Sequence, residues 1–142
     1  MRAKHGFTLV EILIVVVILG ILAAVIVPQF AQSAQQAAQA QTITQLQNIR
    51  AMVELYANQS NGDYPNVVAG PGDPGWAELL SPGFLRQAPR NMWVAGANSG
   101  VIVLGNTADA AYQQAHGWIF DPSTGEVLAG SFTASDLYLP KP

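Results

Sequence analysis

Residue types that carry out covalent chemistry are scarce in this 142-residue chain. The absence of cysteine excludes a thiol nucleophile, a disulfide framework, an iron–sulfur cluster and a cysteine-based zinc site. The only histidines are His5 and His116, and neither has an acidic residue beside it in sequence. The serines and glycines form no nucleophile elbow or phosphate-binding loop. We therefore expect His116 to be a surface or structural residue, and we expect no enzymatic activity, no metal and no other cofactor.

One carboxylate, that of Glu11, has an unusual position. It stands directly before residues 12–27, which include no charged or hydrogen-bonding side chain. A carboxylate at membrane depth costs on the order of 3 kcal/mol on insertion scales, so such a residue usually has a dedicated partner. The alternative is that Glu11 lies at the membrane interface and reaches water.

The apolar stretch around Glu11 is long enough to cross a membrane. Residues 7–27 would span about 32 Å as a helix, against a hydrocarbon core of roughly 30 Å. Arg2 and Lys4 precede it, and a basic flank stays cytoplasmic while the far side crosses. A cleaved secretory signal, cut near Ala23 and Ala24, would need an apolar core of only about 7–15 residues. A retained span over residues 7–28 is therefore predicted.

Residues 29–61 are predicted to form an amphipathic stalk helix. Alanine and glutamine dominate its first half, and no glycine or proline interrupts it. The helix should end between Asn58 and Asn61, with Gly62 as the stop signal. A plain linker is the alternative for residues 29–45. The helical stripe predicted to dock onto a sheet comprises Leu46, Ile49, Val53 and Tyr56.

Residues 62–142 are predicted to form a globular head with turns and short strands. Glycine and proline mark loops at 63–65 and 70–75, and residues 76–80 resemble a helical turn closed by 81–83. Residues 107–115 could form a helix or a loop. We expect Trp76, Trp93 and Trp118 in the core of the head. The candidate strands are residues 92–95, 100–104, 117–121 and 126–129, the last two forming a hairpin around Pro122-Ser123-Thr124-Gly125.

The segment Gly6-Phe7-Thr8-Leu9-Val10-Glu11 closely resembles the prepilin processing motif of type IV pilin-like proteins. Pro28 is the twenty-second residue counted from Phe7, where many pilins have a helix-kinking proline. The resemblance implies that residues 1–6 are a leader, cut between Gly6 and Phe7 by a prepilin peptidase that then methylates the amine of Phe7. Phe7 and Glu11 are one helical turn apart, so this amine could pair with Glu11 within one helix. The resemblance implies that the pair forms across two subunits and sets their axial register.

The head is similar to those of type II secretion pseudopilins, although with two departures. Tyr-Pro, Gly-Phe-Leu and a Gly-Trp-Ile-Phe-Asp-Pro-Ser-Thr-Gly-Glu-Val hairpin occur in the order found there. A pilin-type disulfide is impossible without cysteine. The calcium loop of the major pseudopilins has no clear match, since Asp109, Asp121 and Asp136 are far apart in sequence.

The resemblance and the patterns together predict an α+β fold, in which the second half of a long N-terminal helix packs on a small antiparallel sheet. They imply a structural subunit of a type IV pilus-like filament or a secretion pseudopilus, either a homopolymer or a mixed filament with other pilin-like subunits. A prepilin peptidase and an inner-membrane assembly platform are the other implied partners. The implied location is the bacterial inner membrane, single-pass with a periplasmic head, and then a periplasmic or extracellular filament.

The sequence supports two other functions less well. A net charge of −3 and the lack of a basic cluster beyond the N-terminus argue against nucleic-acid binding. The alternative function is that of a monomeric, single-pass membrane protein whose periplasmic head binds a ligand. Glu11 discriminates between the two, because a monomeric anchor has no use for a carboxylate at that depth.

Overall fold

The computed structural model describes residues 6–68, 74–81 and 83–142. Residues 1–5 of the predicted leader, residues 70–73 of the predicted glycine–proline loop, and Pro82 lie outside the described residues. The helices are α1 (Leu9–Gln59), α2 (Ala77–Leu80) and a 3-10 turn (Ala97–Gly100). The strands are β1 (Ile102–Leu104), β2 (Trp118–Phe120) and β3 (Val127–Ala129).

Helix α1 confirms that the predicted membrane and stalk segments are one continuous helix of 51 residues. Its end falls within the predicted range, since Asn61 takes a left-handed conformation with a φ of 57°. The N–H of Gly62 then donates to the carbonyl of Ala57, at 2.8 Å. This bond satisfies one of the carbonyls that a helix end leaves unpaired, as in a Schellman motif.

The chain forms two compact units, Met1–Gln36 and Ala37–Pro142. This division falls within the predicted stalk, so the predicted boundaries at residues 28 and 61 stay predictions. In the second unit, one face of α1 is buried at intervals of three and four residues, which is the helical repeat. Its buried residues are Thr42, Leu46, Ile49, Val53 and Ala57.

The core of the second unit lies between this face of α1 and the sheet. Trp76, Trp93 and Trp118 are 0%, 2% and 0% exposed, as predicted for core residues. Trp76 and Trp118 meet edge to face with ring centroids 6.5 Å apart, an arrangement that aromatic rings favour. The expected docking of the α1 stripe is thus confirmed, because Leu46, Ile49 and Val53 belong to the same cluster of buried residues.

The α+β class is confirmed, but the sheet is mixed rather than purely antiparallel. Strands β2 and β3 are antiparallel, with Trp118 opposite Ala129 and Phe120 opposite Val127. Strands β1 and β2 are parallel, with Ile102 opposite Trp118. Parallel neighbours need a crossover of about a dozen residues, and the connection 105–117 has that length. This connection is a loop, which settles the open alternative for residues 107–115.

The predicted hairpin between β2 and β3 is confirmed. The N–H of Gly125 donates to the carbonyl of Asp121 at 2.8 Å, and the φ of Gly125 is 74°. A Cβ atom at Gly125 would lie 2.1 Å from the ring of Tyr64. This position therefore requires glycine both for its backbone conformation and for the close approach of Tyr64.

The predicted strand at residues 92–95 is wrong, because this segment is a turn organised by Asn91. The buried Asn91 side chain accepts hydrogen bonds from the N–H groups of Trp93 (2.9 Å) and Val94 (3.1 Å). Its amide nitrogen donates to the carbonyls of Gly117 and Gly130. The backbone donors that a strand would pair in a ladder are thus taken by a side chain.

Candidate processing and assembly site

The N-terminal end of α1 is built around Thr8 and Glu11. The backbone N–H and the hydroxyl of Thr8 both donate to Oε2 of Glu11, each at 2.9 Å. The N–H of Glu11 donates back to the Thr8 hydroxyl at 3.2 Å. These reciprocal bonds form a capping box, which satisfies donors that a helix start leaves unpaired. The helix thus begins two residues beyond the predicted cleavage point.

Sequence reasoning missed this use of Glu11, although a signal was present. The resemblance predicts a pair between Glu11 and the amine of Phe7. In this structure, which includes the residues before Phe7, Glu11 is bonded to Thr8 instead. A threonine followed three residues later by glutamate, just before an apolar run, is the sequence signature of a capping box. The T-L-x-E pattern therefore also has a local structural role.

Gly6 and Phe7 are freely accessible at the predicted cleavage point. The side chain of Phe7 is 81% exposed. A Cβ atom added to Gly6 would have nothing within 4 Å among the described residues, and the φ of Gly6 is not in the left-handed region. The fold of the chain therefore does not itself require glycine at position 6.

The side chains that follow form a continuous exposed apolar surface around α1. An 18-residue window of this helix has a mean hydropathy of 3.3, and none of it is buried. By length and composition, α1 is the one described helix that could cross a membrane. The exposed residues include Ile12, Val16, Leu19, Ile26 and Phe30.

Pro28 lies inside α1 without ending it. Proline removes one backbone donor and crowds the preceding turn, so it usually kinks or breaks a helix. Here the helical segment continues to Gln59. The assignment of Pro28 as a kink stays a prediction.

The aspartates Asp109, Asp121 and Asp136 belong to separate local networks. Asp109 accepts hydrogen bonds from the Gln113 amide and the Ser131 N–H, both at 2.7 Å. Asp136 binds Arg50, and Asp121 accepts from Ser123. Within residues 6–68, 74–81 and 83–142, no group of three or more acidic or histidine side chains is placed to hold a metal ion.

His116 has an acidic neighbour in space that its sequence neighbours do not reveal. Nε2 of His116 lies 3.3 Å from Oδ1 of Asp109, and both side chains are largely buried. The geometry does not make a hydrogen bond, and Nε2 has no other partner among the described residues. Both residues of the pair lie within the 105–117 loop.

Comparisons with known proteins agree with this N-terminal architecture. The family described as "Prokaryotic N-terminal methylation motif" matches residues 1–27. Type II secretion system core protein G of Vibrio cholerae is 31% identical over 100 residues, covering 66% of this chain and 68% of the relative. The Pseudomonas aeruginosa protein of the same name is 35% identical over 100 residues, covering 65% and 70%.

A pilus protein also matches over a shorter stretch. Type IV narrow pilus major component PilA5 of Thermus thermophilus is 44% identical over 62 residues, covering 44% of this chain and 53% of the relative. No solved structure gives a significant match. On the identity and coverage of the core protein G relatives, together with the methylation motif, the chain belongs to the type IV pilin-like family that includes the type II secretion pseudopilins.

Proposed function

We propose that this chain is the precursor of a structural subunit of a type II secretion pseudopilus. A prepilin peptidase cuts between Gly6 and Phe7 and methylates the new amine of Phe7. Before assembly, α1 anchors the subunit in the bacterial inner membrane with the head on the periplasmic side. The inner-membrane platform then transfers the subunit into a filament of copies or of related pilin-like subunits.

The observation that carries the proposal is the position and bonding of Glu11. Both hydrogen bonds that Thr8 donates to the Glu11 carboxylate go to Oε2. Among the described residues, Oε1 has no hydrogen-bond partner. A carboxylate in an apolar environment is tolerated when it is paired and fully hydrogen-bonded. The ammonium of a cut Phe7, supplied by a neighbouring subunit, would complete the bonding of Glu11 at Oε1.

The exposed surface of α1 supports the same proposal. Isolated side chains on a protein surface are often apolar, but a continuous apolar surface of this size requires cover. Lipid covers it before assembly, and the helices of other subunits cover it in a filament. Gly20, Ala23 and Ala24 allow close approach, because small residues let helix backbones pack near each other. Outside its own helical turn, a Cβ atom at Gly20 would meet none of the described residues within 4 Å.

The secretion type is proposed over the pilus type because relatives named as core protein G match about two thirds of the chain. The pilus relative PilA5 covers less than half of it. A monomeric, ligand-binding anchor is less well supported, since it would leave the Glu11 carboxylate without a charged partner at membrane depth.

The proposal is tested by expressing the full chain with and without a prepilin peptidase and a type II assembly platform. Filaments sheared from cells should contain this subunit only when both are present, and the subunit should begin at methylated Phe7. Recovery of the chain as membrane monomers only, under conditions in which a known pseudopilin assembles, would contradict the proposal.

A further inference from the structure

A groove of about 320 Å³ in the head is lined by two arginines and several amides. Arg86 and Arg90 come from the segment that follows α2, and Gln41, Gln45 and Asn48 come from α1. The side chains of Arg86 and Arg90 are exposed. The lining includes no acidic residue. Such a groove favours a ligand with carboxylates, because guanidinium groups and amides donate several hydrogen bonds to them.

Arg86 and Arg90 differ from the other basic residues of the head. Arg50 forms an ion pair with Asp136, and the ammonium of Lys141 lies 4.5 Å from the centre of the Trp93 ring. In the described part of the chain, the side chains of Arg86 and Arg90 have no ion pair and no hydrogen bond. The two unpaired positive charges of the head therefore lie in one groove.

Four acidic residues belong to two segments of the head that meet where Gly125 approaches the ring of Tyr64, and we call this region the acidic end. In the described residues none of them has an ion pair, and Glu54, Asp63 and Glu126 are exposed. The fourth, Asp121, bonds only to the neighbouring turn. The members of the acidic end are Glu54 and Asp63, at the end of α1, and Asp121 and Glu126, in the hairpin between β2 and β3.

Contacts along α1 show that the groove and the acidic end lie at opposite ends of the head. The Arg50 Nε donates to the carbonyl of Val127 at the start of β3. Asn91 links Thr42 to Gly130, just past the end of β3. Strand β3 thus runs back along α1, and the hairpin before it lies toward Gln59. Along α1, Gln45 of the groove and Glu54 of the acidic end are about 14 Å apart, at 1.5 Å per residue.

We propose that the groove formed by Arg86 and Arg90 binds the acidic end of a second copy of this chain. The inference rests on the proposed filament and names a contact between its heads. Because the two complementary surfaces are different parts of one subunit, the contact is heterologous. After pairing, one subunit keeps a free acidic end and the other keeps a free groove, so pairing continues along an open filament instead of closing into a dimer.

Cross-linking between differently labelled copies tests the contact directly. The natural sequence has no cysteine, so a disulfide can form only between introduced residues. Cells co-express one full chain carrying Arg90→Cys and another carrying Glu126→Cys, together with the assembly machinery. A disulfide-linked heterodimer in sheared filaments is the expected result. Its absence from filaments that assemble normally would overturn the proposed contact while leaving the proposed function standing.

Charge reversal provides the second test. Arg86→Glu combined with Arg90→Glu should lower filament yield at least about tenfold, because like charges would then face each other. Adding Asp121→Arg and Glu126→Arg to the same chain should restore much of the yield. Lys141→Glu is the control, since it reverses one positive charge outside the groove. This variant should leave assembly close to normal.

The outcomes of these tests separate the inference from the proposed function. Full yield from the groove variant, or loss without rescue, would overturn the inference if the unaltered chain forms filaments. Failure of the unaltered chain to form filaments would overturn the proposed function and the contact together. Thermal melts of the unaltered chain and of the Arg86→Glu, Arg90→Glu chain in detergent should coincide, because both arginines are exposed and unpaired among the described residues.

Discussion

The guanidinium of Arg50 on α1 forms a two-point ion pair with the carboxylate of Asp136, 86 residues later in the chain. Nη1 donates to Oδ2 at 2.7 Å, and Nη2 donates to Oδ1 at 3.0 Å. The third donor, Nε, binds the carbonyl of Val127 at 3.0 Å. One side chain thus ties α1 to both the edge of the sheet and the C-terminal segment.

Replacing Arg50 should therefore destabilise the head. Arg50→Ala is expected to lower the free energy of unfolding by about 1.5–3 kcal/mol, the usual range for hydrogen bonds to charged groups. Arg50→Lys should recover only part of this, because an ammonium cannot reproduce the planar two-point geometry. Thermal melts of the full chain measure the loss, and Arg86→Ala is the control. Equal stability of Arg50→Ala and Arg86→Ala would contradict the argument.

The partner Asp136 allows a second variant that leaves the backbone unchanged. The φ of Asp136 is 58°, a left-handed conformation that asparagine also tolerates. Asp136→Asn removes the charge without adding backbone strain. A double-mutant cycle with Arg50→Ala then isolates the energy of the pair.

Processing should depend on the size of residue 6 through the peptidase alone. Gly6→Val is expected to block cleavage, since a bulky residue would obstruct close binding of the chain by the enzyme. It should leave insertion and the fold unchanged, because a Cβ atom at Gly6 would meet none of the described residues within 4 Å. Mass spectrometry of membrane fractions should find a methylated Phe7 terminus in the natural chain and an uncut terminus in the variant. A natural terminus near Ala24 would refute the predicted site.

Replacement of Glu11 by glutamine should separate helix capping from assembly. Glutamine can complete a capping box, so α1 should still begin at Leu9. Insertion should become easier, because the variant removes a charge from membrane depth. Assembly should weaken, because leaving the Phe7 ammonium buried without a counter-charge costs about 3–5 kcal/mol.

Shearing of cells that express this variant with its assembly machinery measures the outcome. Cleaved Glu11→Gln should accumulate in the membrane, whereas Glu11→Asp should retain part of the assembly. Filaments of normal abundance from Glu11→Gln would show that the carboxylate is an interfacial residue, and the monomeric-anchor function would gain support.

Residues 29–142 should fold alone as a soluble, monomeric protein, and Trp118 should be central to its stability. The Trp118 ring is fully buried, and its Nε1 donates to the carbonyl of Pro89 at 3.1 Å. Trp118→Ala should cost about 3–5 kcal/mol in denaturant unfolding. Leu137→Ala, at a side chain that is 64% exposed, should change stability by less than about 0.5 kcal/mol. A small loss from Trp118→Ala would place the ring outside the core.

The hairpin should make a contribution to stability that is lost in acid. The hydroxyl and then the N–H of Ser123 donate to Asp121 and lower the pKa of its carboxyl below the ordinary value. A carboxyl with a lowered pKa stabilises the fold above its unfolded pKa, and the effect disappears as pH falls through the folded pKa. The NMR titration of Asp121 should therefore shift to higher pH in Ser123→Ala. An unchanged titration would count against this bonding.

Periodicity and turn chemistry predicted the elements of the fold that are determined by residues close in sequence. The buried stripe on α1, the core tryptophans and the Pro-to-Gly hairpin follow from spacing and turn chemistry, which neighbouring residues determine. The parallel pairing of Ile102 with Trp118 did not follow, because strand direction depends on a crossover whose path the sequence does not encode locally. The turn at Asn91 was mistaken for a strand because its apolar residues match a strand in composition.

In the candidate site, too, the sequence predicts contacts between residues that are close in sequence better than contacts between distant residues. The roles of Gly6, Phe7 and Glu11 are predictions from the resemblance to the prepilin motif. The bonding of Glu11 to Thr8 was predictable from the sequence, since both residues of a capping box are close in sequence. The approach of His116 to Asp109 could not, because it requires the folded path of the 105–117 loop. Contacts between side chains distant in sequence become visible only in three dimensions.

The single helix α1 is subject to two different kinds of natural selection. Between Thr42 and Ala57, a substitution on the buried face alters the packing of the subunit itself. Between Leu9 and Phe30, the exposed side chains have few contacts within their own chain, so a change there is tested only by the lipid and the neighbours that surround it. Substitutions between Thr42 and Ala57 should therefore co-vary with other residues of the same chain. Substitutions between Leu9 and Phe30 should co-vary with residues of the partner subunits.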